Sequence, residues 1–132
     1  MRAFSLTEQT EQKPESKKHL KFELMVCHAG GYNCREHLSV INECYVEAKN
    51  YHFDKDYLNS IESLKYAFFK TADLNQESCL NCAKLFRTTI TRSLENINVE
   101  LKILTSGFLS KKRYHRSYQA SCEVLNEIKQ SV

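Results

Sequence analysis

A chain of 132 residues, 42% hydrophobic and 27% charged, is long enough to bury one core and carries too much apolar surface to stay unfolded throughout. A net charge of +3 is too small to mark a nucleic-acid binder by itself, and three Gly with one Pro are too few to punctuate an all-β sandwich or barrel, whose turns recur about every 8–12 residues. The longest apolar run, Leu24-Met25-Val26-Cys27, falls far short of the ~20 residues of a membrane span, and Glu8, Glu11 and Glu15 interrupt any export signal.

Residues 1–13 mix Thr, Gln and Glu with the isolated apolar residues Phe4 and Leu6, and they read as a poorly ordered arm ahead of a single domain spanning 14–132. Pro14 and Glu15 suit the start of a helix that Gly30-Gly31 would stop, giving a first helix over about 14–29. Leu20, Phe22, Leu24 and Val26 also alternate as a strand does. With no partner strand later in the chain, helix is the expectation.

Asn33, with Glu36 three residues on, reads as the cap of a second helix whose stripe is Leu38, Ile41, Tyr45 and Ala48, ending near Tyr51. Asp54-Lys55-Asp56 is the turn, and Asp54 or Asp56 caps a third helix that carries Leu58, Ile61, Leu64 and Phe68. Ala67 and Phe69 widen its buried face, and it closes near Ala72.

Asn75 is expected to open the longest element. Its apolar residues, Cys79, Ala83, Phe86, Ile90, Leu94, Ile97, Leu101 and Leu104, alternate spacings of three and four up to Gly107. A last helix follows over about 109–129, with Tyr118, Cys122, Leu125 and Ile128 inward. Each helix has one apolar stripe and the loops are short. The expected fold is therefore all-α, an antiparallel four- or five-helix bundle.

Residues 44–72 resemble a tetratricopeptide helical hairpin. The resemblance rests on Ala48, Tyr51, the Asp56-Tyr57 pair, Ser60, Leu64 and Ala67, small and large residues spaced as where two such helices cross closely. It covers under a quarter of the chain and does not recur. It implies a hairpin geometry and leans toward a protein or peptide partner, and it carries over no functional residue.

Six Cys in a chain without an export signal are expected to be thiols or metal ligands in a cytoplasmic, reducing setting. Cys34-x-x-His37 and Cys79-x-x-Cys82 are i, i+3 pairs, and four such ligands would complete a tetrahedral zinc site. The competing reading makes Cys34, Cys44, Cys79 and Cys122 small core residues, as free Cys usually is. It is preferred because a bundle with this much apolar stripe needs no metal to fold, so no cofactor is expected. Cys79-x-x-Cys82 also has redox spacing, without the preceding strand of thioredoxin-like sites.

Most enzyme hardware is missing. No Glu stands three residues before a His, as di-iron bundles require, and no Gly-rich phosphate loop is present. The Arg-to-His spacing of helical ribonuclease domains is absent as well. No catalytic residue is assigned.

Lys111, Lys112, Arg113, His115 and Arg116, with Tyr114 and Tyr118 interleaved, stand at the positive end of the last helix, where cations cost stability. They suit a phosphate, an acidic peptide or RNA, and they would equally neutralise the negative end of the preceding helix across Gly107. The leading expectation is a non-enzymatic protein-interaction or self-association module. Its alternatives are the zinc-binding bundle and an anion or nucleic-acid binder centred on residues 111–116.

Overall fold

The computed structural model describes the backbone of residues 32–77, 80–107 and 111–131. Side chains are described for residues 37–72, 74, 82–107 and 111–131. The expected arm and the expected helix over 14–29 lie outside the described residues. Within them the fold is all-α: four helices, α1 Tyr32–Phe53, α2 Tyr57–Glu77, α3 Leu80–Ser106 and α4 Lys111–Ser131, with no strand.

The turn between α1 and α2 explains both helix ends. Asp56 N–H donates to the Tyr51 carbonyl at 2.8 Å and Lys55 N–H to the His52 carbonyl at 3.0 Å, the paired bonds of a Schellman motif. Such a motif needs a left-handed residue, here Lys55 at φ 66°, where glycine is usual. Asp56 then caps α2: one carboxylate oxygen accepts from the Asn59 N–H at 3.4 Å and the other from Asn59 Nδ2 at 2.8 Å.

The spacing of apolar residues decides the packing. Leu38, Ile41, Tyr45 and Ala48 of α1 are buried, as are Ile61, Leu64, Ala67 and Phe68 of α2 and the run from Ala83 through Leu101 at threes and fours on α3. All belong to one core cluster. Each large side chain there, Phe86 or Leu94 for instance, gains roughly 2–3 kcal/mol from leaving water.

α2 is the central helix, in contact with the other three, while α3 and α4 pack on each other. Along α2 and α3 the contacts run in opposite senses, since Tyr57 meets Glu100 and Thr71 meets Arg87. Where α1 crosses α2, Ser60 Oγ donates to the Ala48 carbonyl at 2.7 Å, and both residues are fully buried. Small side chains let the two backbones approach that closely.

Three expectations need correction. The α2 stripe starts at Tyr57, which is buried, whereas Leu58 and Phe69 are exposed at 36% and 41%. One residue is about 100° around a helix, so Leu58 turns off the face that Tyr57 occupies. α2 also runs on to Glu77 and α3 begins at Leu80, because Thr71 and Leu74, both fully buried, extend the core-facing side by another turn. On α4 the buried positions are Ser121, Val124 and Ile128; Tyr118 and Leu125 are half-buried and Cys122 is exposed. Ser121, small and fully buried, takes the inward place, and Asn98 of α3 donates to its Oγ at 2.9 Å and to the Cys122 thiol at 3.3 Å.

Candidate functional site: the corner between the third and fourth helices

α3 ends at Ser106 and α4 begins at Lys111, whose N–H donates to the Gly107 carbonyl at 3.0 Å. Residues at i, i+1, i+4 and i+5 share one side of a helix. Lys111, Lys112, His115 and Arg116 accordingly gather with Ser106 and Gly107 around an open cleft of about 880 Å³. All four side chains are exposed. Among the described residues, no carboxylate forms an ion pair with any of them.

The first turn of α4 contains no acid. Its cations therefore stand at the positive end of the helix dipole, an arrangement unfavourable to the helix and favourable to an anion. The end of α3 has partners of its own: Ser106 Oγ donates to the Ile103 carbonyl at 2.6 Å and Thr105 Oγ1 to the Lys102 carbonyl at 3.0 Å. Two carbonyls of its last turn are thus served without the cations.

Arg113 and Tyr114 stand apart from the cleft lining. Arg113 lies 5.5 Å from the centre of the Tyr114 ring, and that ring meets Tyr57 edge-on at 5.8 Å, on the bundle side of the helix. Tyr118 is half-buried, with its hydroxyl on the Cys122 thiol, an interaction that raises its pKa.

Beneath Tyr114 is a cluster that the sequence reading missed. Glu100 of α3 accepts hydrogen bonds from the Tyr57 hydroxyl, from His52 Nε2 at 2.9 Å and from Lys55 Nζ at 3.4 Å. A carboxylate only accepts, so the His52 proton sits on Nε2. Burial pushes the Glu100 carboxyl up, but the bonds from Tyr57 and His52 and the nearby His52 and Lys55 outweigh it and hold the group below its usual range. Burial and the bond to Glu100 push the Tyr57 hydroxyl well above its own. The signal was present: Glu100 borders Ile97, Leu101 and Leu104, and a carboxylate at the edge of a buried stripe needs partners.

Of the zinc set, the Cys34 side chain and all of Cys79 lie outside the described residues. His37 is half-buried on α1 and Cys82 buried on α3. Among the described residues no group of three His, Cys, Asp or Glu side chains converges as a metal site, and Cys44 and Cys122 are in no disulfide. No helix among them is long and apolar enough to cross a membrane. Neither protein-family models nor curated proteins nor solved structures yield a match to this chain, so its function has to be argued from its own geometry.

Proposed function

We propose that this chain is a non-enzymatic protein-interaction module that receives an acidic segment of a partner at the corner between α3 and α4. The observation that carries the reading is the convergence of Lys111, Lys112, His115 and Arg116 on one open cleft with no carboxylate among the described residues to neutralise them. Cations that repel one another at the positive end of a helix cost stability, and a bound anion offsets that cost. The hairpin resemblance of residues 44–72 leans the same way.

A binding role fits better than catalysis. The best-organised titratable cluster is closed: the Glu100 carboxylate is shared among three donors and held below its usual pKa, and Tyr57 is buried. A saturated carboxylate makes a poor general base.

The test compares the wild-type chain with Lys112→Ala/Arg116→Ala and with Lys112→Glu, using a labelled poly-glutamate peptide and fluorescence anisotropy at low and high salt. Wild-type affinity falls steeply as salt rises, and the double variant loses about tenfold or more. Lys112→Glu loses binding yet melts at a higher temperature, because an acid in the first turn of α4 gains about 0.3–1 kcal/mol from the helix dipole. Binding that ignores both salt and these substitutions overturns the proposal.

A further inference from the structure

α3 carries an outward stripe that the bundle does not use. Leu85, Val99 and Ile103 are 53%, 57% and 67% exposed on one helix, whereas most apolar residues of α3 are buried. At 3.6 residues per turn these three, with Arg92 and Asn96, fall within about 60° of one another around the helix. Lys84 and Lys102 border the stripe and are exposed, as is Arg92. Against these three cations α3 has two acids: Glu95, exposed beside Lys84 and Arg92, offsets one of them, and Glu100 is engaged with Tyr57 and His52, so the face keeps a positive balance.

The stripe leads into the cleft. Ser106, three residues beyond Ile103, lines the corner together with Lys111 and Lys112. Toward the other end of α3, Lys84, Arg87 and Arg92, with one acid, Glu95, and with Phe68, Thr88 and Thr91, border a smaller cavity of about 430 Å³. From Leu85 to Ile103 the face is about 27 Å long at 1.5 Å per residue. That is room for about five turns of a second helix.

We infer that α3 is the docking face for an acidic amphipathic helix, whose carboxylates meet Lys84, Arg92, Lys102 and the corner cations while its aliphatic side chains cover Leu85, Val99 and Ile103. This rests on the reading of the corner and extends it to the class of partner. Charge complementarity selects an acidic occupant, and the kind of exposed apolar residue selects among acidic ones. A single-stranded nucleic acid needs aromatic platforms. Here the Tyr114 ring is engaged, edge-on to Tyr57 with Arg113 over it, and every large apolar residue exposed on α3 is aliphatic. Val99 and Ile103, one turn apart and flanked by charges, suit the aliphatic side of an amphipathic helix.

The test uses the full chain and three labelled probes: a helical peptide with Glu on one face and Leu on the other, the same peptide with every Leu replaced by Ser, and a single-stranded RNA of similar charge. The leucine peptide binds about tenfold or more tighter than its serine version, the worth of covering one or two aliphatic side chains. Val99→Ser/Ile103→Ser removes that advantage and leaves binding of the serine peptide unchanged. Circular dichroism of the variant matches wild type, since both side chains are exposed.

If both peptides bind alike, or the α3 variant changes nothing while Lys112→Ala/Arg116→Ala abolishes binding, the α3 face is refuted and the corner reading stands. If only RNA binds, both fail. If light scattering shows a dimer that Val99→Ser/Ile103→Ser converts to monomer, the face belongs to a second copy and the acidic helix is wrong.

Discussion

Glu100 shows how one side chain joins several elements. Its carboxylate holds His52 of α1, Lys55 of the turn and Tyr57 of α2 against α3, and Tyr57 in turn braces Tyr114 at the start of α4. A carboxyl whose folded pKa lies below its unfolded value stabilises the fold above the unfolded pKa, and that stability is lost as pH falls through the folded one. The contribution is thus present at neutral pH and fades from about pH 5 downward. Glu100→Gln flattens this part of a plot of urea midpoint against pH and costs about 1 kcal/mol at neutral pH, a modest figure because the carboxylate is 34% exposed and partly screened by solvent. Superimposable acid limbs would show that the cluster contributes nothing. Tyr57 acts at the other extreme: its raised pKa makes a contribution that is complete below about pH 10 and declines above it.

The thiols sort by burial. Cys122 is exposed, Cys44 half-buried, and Cys82 only 6% exposed in the core. Burial, helped by Glu47 and Glu43, also raises the Cys44 pKa, which leaves less of the reactive thiolate. Among these three, peptide mapping after brief alkylation finds Cys122 modified first, Cys44 slowly, and Cys82 only under denaturing conditions. Early labelling of Cys82 would contradict the packing of α3.

At the scale of the elements, the α1–α2 turn carries a correctable cost. Lys55 occupies a left-handed position that penalises any residue with a Cβ, and its contact with Glu100 is 3.4 Å long with the ammonium largely in solvent. Lys55→Gly stabilises the protein by about 0.5–1 kcal/mol, read as a higher melting temperature, whereas Lys55→Ala keeps the backbone penalty and gains nothing. A lower melting temperature for the glycine variant would mean that the contact outweighs the strain. The sequence placed this turn at 54–56 and offered Asp54 or Asp56 as the cap; the bonds to Asn59 select Asp56. A left-handed lysine leaves no such mark in sequence, since the residue that usually signals that conformation is glycine.

At the scale of the whole molecule, stability rests on α2 and α3. Leu94 is fully buried, and Leu94→Ala costs about 2–5 kcal/mol, a large share of the roughly 5–15 kcal/mol of a domain this size. Leu58→Ala, at a site already 36% exposed, costs under about 1 kcal/mol. Urea unfolding followed by circular dichroism separates the two. Equal costs would mean that Leu58 and not Tyr57 faces the core.

Among the described residues, the sequence alone determined that the chain forms helices, roughly where α1 and α4 run, and which stripes of α1 and α3 are hidden, because spacings of three and four report directly on one face of a helix. It also singled out the cations of residues 111–116, since a run of charge is legible without a fold. The tertiary structure decided the rest. α4 hides Ser121 and leaves Cys122 exposed, although Asn98 of α3 donates to both, and Thr71 and Leu74 lengthen α2 because α2 contacts three neighbours. Glu100 finds Tyr57 and His52 across more than forty positions of chain. Periodicity is a property of one helix, whereas the partner of each face is fixed only when the helices choose how to lie against one another.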